Sequence, residues 1–77
     1  MHYQYYNSNA LLVINKKGKI RILYTPVRVK CIDNRCGLKL GVIVYVDEIL
    51  FNEKDELIYM IGNLTYFHRH FKIEMLF

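Results

Sequence analysis

Two cysteines, Cys31 and Cys36, and two histidines, His68 and His70, are the residues with the most reactive side chains in this 77-residue chain. Thiolates and imidazoles bind zinc, and the four residues between the cysteines lie within the range of ligand spacings. A Cys₂His₂ site needs both histidines on one side, however. Residues two apart share a side only in an extended strand. Cys31 also alternates with Val27 and Val29, which reads as a small core residue. Cys36 stands among turn residues and reads as a free thiol. A Cys31–Cys36 disulfide fits the geometry if the loop folds back. It would not persist in a reducing cytosol, and two cysteines are too few for a disulfide framework, so a cytoplasmic setting is expected. No metal and no cofactor is expected.

Bases and rings give the second constellation. Lys16, Lys17, Lys19, Arg21, Arg28 and Lys30 form a stripe if the segments that carry them lie side by side. Such a stripe attracts phosphates with a steep salt dependence. Tyr45 alternates against Val44 and Val46. If those two are core, Tyr45 is exposed and able to stack on a base, as are Tyr66 and His68. The competing readings are structural. Lysines keep strand edges from pairing, and Tyr45 could instead lie under an apolar N-terminal hairpin.

Acids form a third group, at Asp47, Glu48, Glu53, Asp55 and Glu56. Carboxylates act as acid–base catalysts in a cleft that shifts their pKa values. An exposed hairpin tip supplies no cleft, and solubility is the expected role. With no Gly-rich phosphate loop and Ser8 the sole serine, nothing reads as an enzyme. A thiol–imidazole pair of Cys36 and His68 would need chance folding. No catalytic residue is assigned.

The elements that must position these residues are strands. Val, Ile, Tyr and Phe are abundant, Ala occurs once, and no long segment keeps a 3.6-residue apolar period. Residues 1–9 read as a polar and aromatic arm that need not be ordered. Two apolar runs, 10–15 and 19–25, flank Asn15-Lys16-Lys17-Gly18 and predict a hairpin. Pro26 should end its second strand. Val27 to Asp33 alternates as a strand, and 33–37 is a loop. Val42 to Phe51 is apolar on both faces near its middle, which predicts a central or strongly bent strand. Asn52 to Asp55 is a tip, and 56–61 the return strand. Strands at 64–67 and 71–76 flank His68-Arg69-His70, a candidate 3₁₀ turn.

The fold class expected is therefore all-β, with about five short antiparallel strands that curl into a small barrel. Residues 10–77 form one domain that includes an N-terminal β-hairpin extension at 10–25. The core is expected mostly within 27–76.

One resemblance supports the barrel. Val29-Lys30-Cys31-Ile32-Asp33, then Leu38-Lys39-Leu40-Gly41, then Val44 to Val46, resembles a small SH3-like barrel domain of phage and bacterial genomes. Tyr59-Met60-Ile61, Tyr66 and Phe71 continue the pattern, which covers about residues 27–74. Val42 stands where that pattern has Lys, and Val44 where it has Tyr. The resemblance implies an SH3-like barrel and no catalytic residue.

Charge then locates function. The net charge of +4 conceals a basic half, with eight bases and one acid in residues 1–40, and an acidic half beyond. No apolar run approaches the ~20 residues of a membrane span, and no secretory signal is evident. A small non-enzymatic binding module is expected. Its first reading is weak nucleic-acid binding through the basic N-terminal half. The alternative is a protein-interaction or self-assembly module, a homodimer included, which pairs through a barrel edge or the hairpin.

Overall fold

The computed structural model of the protein describes residues 2–75. Its strands are β1 (His2–Asn7), β2 (Ala10–Ile14), β3 (Ile20–Tyr24), β4 (Val27–Cys31), β5 (Ile43–Val46), β6 (Glu48–Phe51), β7 (Leu57–Ile61), β8 (Leu64–Phe67) and β9 (Phe71–Ile73). Two 3₁₀ turns, Asn34–Cys36 and His68–His70, complete the chain. The all-β class is as expected. The strands form three antiparallel sheets, ordered β1-β2-β3, β5-β4-β9 and β6-β7-β8, and these do not close into a continuous barrel.

The β2–β3 hairpin forms where the sequence predicted it. Asn15 Oδ1 accepts from the N–H groups of Lys17 and Lys19 at 2.9 and 3.0 Å, and Gly18 takes φ 80° to turn the chain. The expected polar arm is instead strand β1. It pairs with β2, Tyr3 opposite Val13 and Tyr5 opposite Leu11. His2 and Gln4 face solvent while Tyr3 and Tyr5 turn inward. An alternation of polar residues and rings thus behaves as a half-buried strand.

The run 42–51 is bent, as its apolar faces suggested. It serves one sheet as β5 and the next as β6, with Asp47 at the corner. Asp47 N–H donates to the Met60 carbonyl at 2.8 Å, and its Oδ2 accepts from Gly62 N–H at 2.9 Å.

One core joins the sheets. Leu11 and Val13 are fully buried with Val29, Cys31, Val46, Ile49 and Tyr59. The first 26 residues therefore share the core rather than extend it. Burial of each large apolar side chain is worth about 1.5–3 kcal/mol. Ile49 N–H also donates to the Ser8 carbonyl at 2.8 Å, which fastens β6 to the β1–β2 turn. No helix of the described residues is long and apolar enough to cross a membrane.

Candidate functional site

The sheet β5-β4-β9 has one buried face and one bare face. Val27, Val29 and Cys31 alternate inward on β4, which leaves Arg28 and Lys30 outward. Register then decides their neighbours. Arg28 lies opposite Tyr45, and Lys30 opposite Ile43 on one side and Lys72 on the other. Directly opposed residues share a face and lie within side-chain reach. The outer surface is therefore three cations around a ring and an aliphatic side chain. Tyr45 is 55% exposed and Ile43 40%. The N-terminal hairpin does not cover Tyr45. Glu74, whose N–H donates to the Arg28 carbonyl at 3.0 Å, adds an acid at the border of this patch.

The other expected site residues lie elsewhere. Lys16, Lys17 and Lys19 occupy the tip of the β2–β3 hairpin, in a different sheet, and Arg21 lies on β3 opposite Val13. The six bases thus do not form one continuous stripe. Tyr66 is turned inward on β8 opposite Tyr59. It meets Phe71 edge-on, ring centroids 5.9 Å apart, and its ring lies against Gly37. His68 Nδ1 lies 3.1 Å from the Leu57 carbonyl, and its ring stands edge-on to Tyr59. Both have structural partners, and neither joins Tyr45.

Lys72 and Ile43 belong to the patch and were missed. Lys72 alternates with Phe71 and Ile73, so its outward direction was readable. Its neighbour Lys30 is forty-two positions away, and that pairing has no local signal.

The cysteines are joined as a disulfide, contrary to the free thiol expected at Cys36. Asp33 caps the turn Asn34–Cys36 by accepting from Arg35 N–H, and Gly37 leaves it at φ 89°. That short turn folds Cys36 back under Cys31, both buried. Sequence reasoning set the pair aside on the redox compartment, whereas local geometry favours it. Sulfurs bonded to each other offer no thiolate to a metal. Among the described residues no group of three or more His, Cys, Asp and Glu side chains is placed to hold one.

Arg35 also forks onto Asp33, Nε at 3.1 and 3.2 Å and Nη2 at 2.7 Å. These side-chain bonds, with the Arg35 N–H, hold the Asp33 carboxyl well below the usual carboxylate range. His70 is buried nearby, its Nδ1 3.5 Å from Asp33 Oδ2.

A separate cleft of about 370 Å³ opens where β1 meets the β6–β7 hairpin. Tyr3, Gln4, Tyr5, Phe51, Asp55 and Leu57 line it, and Tyr5 stands edge-on to Phe51 at 4.6 Å. No nucleophile–base pair occurs among these residues.

Comparison with protein-family models, curated proteins and solved structures finds no match. The functional reading therefore rests on the geometry of the site.

Proposed function

We propose that the chain is a non-enzymatic module that binds single-stranded nucleic acid, weakly, on the outer face of β5-β4-β9. The observation that carries this reading is the exposed Tyr45 ring opposite Arg28, with Lys30 and Lys72 beside it. Stacking of one base on one ring is worth ~1–3 kcal/mol and tolerates any base. Three cations track the phosphates. Each neutralised phosphate of a single strand contributes about −0.7 to the slope of log affinity against log salt. Three contacts give a slope of about −2, with dissociation constants in the ~10⁻⁴–10⁻⁶ M range of non-specific binding. The lysines at the hairpin tip extend the field that attracts the polyanion.

Binding of a labelled oligonucleotide, followed by fluorescence anisotropy at 20 to 300 mM salt, tests the reading. Saturable binding that weakens with that slope supports it. No binding at the lowest salt sinks it.

Kinship with phage and bacterial SH3-like barrels is part of this proposal. It rests on the Val29–Asp33 and Leu38–Gly41 segments, and the bent strand 43–51 is in keeping with it. The disulfide fits an oxidising setting better than the cytoplasm expected from the cysteine count.

A further inference from the structure

Strand β3 is the edge of its sheet, and no described strand lies on its outer side. Its backbone direction follows from the bonds at its two ends. Asn15 N–H donates to the Lys19 carbonyl at 3.0 Å, and Thr25 N–H to the Asn9 carbonyl at 2.9 Å. Hydrogen-bonded positions alternate along an antiparallel ladder. Lys19, Arg21, Leu23 and Thr25 therefore turn their backbone groups toward β2. Ile20, Ile22 and Tyr24 turn theirs outward, along an edge with which no described strand pairs.

The same three residues share the outer side-chain face, opposite Ile14, Leu12 and Ala10. Ile20 is 63% exposed and Tyr24 68%, while Leu12, Ile14 and Ile22 are half-buried. Natural edges are blunted by charge, proline or a covering element. Between Lys19 and Pro26, β3 carries one charged residue, Arg21.

We infer that β3 pairs with β3 of a second copy of this chain, antiparallel about a two-fold axis at Ile22. Ile22 then lies opposite the partner's Ile22, and Ile20 opposite the partner's Tyr24. Each of these pairs exchanges two backbone bonds, because each member presents its N–H and carbonyl at the edge. The apolar outer face continues across the seam.

Charge selects this register. Arg21 faces the partner's Leu23, and Lys19 the partner's Thr25. A slip of one ladder step in one direction puts Arg21 opposite the partner's Arg21, and like charges directly opposed are destabilising. A slip in the other direction puts Ile20 opposite the partner's Pro26, which has no N–H to donate. The two-fold pairing occupies both β3 edges and closes at two copies.

Two five-residue strands bury an area at the low end of specific interfaces, about 1,200 Å² or less. The dimer is therefore expected to be a weak, concentration-dependent one. The seam is apolar and backbone-bonded, so it survives high salt, unlike the nucleic-acid contact proposed above.

Sedimentation equilibrium from 1 to 500 μM, in 0.1 and 1 M salt, reads the mass. The expected mass rises with concentration from 9.3 kDa to about twice that value, at both salts. Ile22→Glu places two carboxylates at the axis, and Ile20→Glu tests the seam at an exposed position with less risk to folding. Each should raise the dissociation constant at least tenfold, with the circular dichroism unchanged.

Crosslinking tests the register. Opposed hydrogen-bonded residues have Cα atoms about 5.5 Å apart, within disulfide reach. Ile22→Cys should give a covalent dimer under oxidised glutathione, with the bond mapped between the substituted positions of the two copies. Ile20→Cys should not. A 9.3 kDa mass at every concentration overturns the proposal. So does equal crosslinking at both positions, or none at position 22.

Discussion

Arg28 and Tyr45 stand directly opposite each other on neighbouring strands, and both are exposed. A cation and a ring on one sheet surface suit a nucleotide's two parts, the phosphate and the base. The exposed Tyr45 ring contributes little to the core. Tyr45→Ala should therefore weaken oligonucleotide binding about tenfold, from the stacking value of ~1–3 kcal/mol. The thermal midpoint should stay close to that of the wild type. Anisotropy titrations and a melt on the same sample check both outcomes.

The two groups of bases should separate in a charge-reversal experiment. Lys30→Glu with Lys72→Glu puts acids beside Tyr45 and should abolish measurable binding at 100 mM salt. Lys16→Glu with Lys19→Glu changes only the hairpin tip. It should weaken binding more modestly and flatten the salt dependence. If the tip pair proves the more damaging, the site lies on the hairpin and the sheet-face assignment fails.

Acid should reveal the Asp33–Arg35 contact. The folded-state pKa of Asp33 is depressed by the Arg35 hydrogen bonds. Its contribution is therefore complete above the unfolded value of about 4 and is lost as pH falls toward the folded value. Glu56 is shifted the same way by Asn52, and then by Arg69, so it adds to the trend. Thermal midpoints should fall between pH 5 and pH 2. The fall should be shallower for Asp33→Asn, which keeps an oxygen to accept from Arg35 N–H. Equal slopes for the two proteins would count against the contact.

Reduction should loosen the molecule without unfolding it. The Cys31–Cys36 bond closes a short loop, with a sequence separation of 5. Chain entropy for a loop that small gives about 2 kcal/mol. In a domain of this size that lowers the melting midpoint by roughly 10 °C. The reduced cysteines remain small apolar residues in the core. Melts with and without a phosphine reductant measure the shift, and an unchanged midpoint would show that the bond contributes nothing.

Local pattern made much of the fold legible. The alternation Val27, Val29, Cys31 gave the inward face of β4 and with it the outward Arg28 and Lys30. Asn15 and Gly18 gave the hairpin turn, and the doubly apolar 42–51 gave the bend. What failed was of three kinds. Strand β1 was set aside because its residues are polar, although His-Tyr-Gln-Tyr alternates as a strand does. The pairing of Lys30 with Lys72, and the separation of Tyr66 from Tyr45, depend on register between distant segments, which composition and spacing do not encode. The disulfide was weighed and set aside by reasoning from compartment instead of from the turn that brings Cys36 back.

The corner at Asp47 bears on how the molecule opens. Because β5 and β6 are one length of chain, held at that corner to Met60 and Gly62, strain on either sheet is passed to the other. The N-terminal sheet is tied in through Ser8 and Ile49. Amide hydrogens of Val29, Val46, Ile49 and Tyr59 should then exchange with solvent together, at the rate set by global unfolding. Those of the outer edge of β3 should exchange early in the monomer.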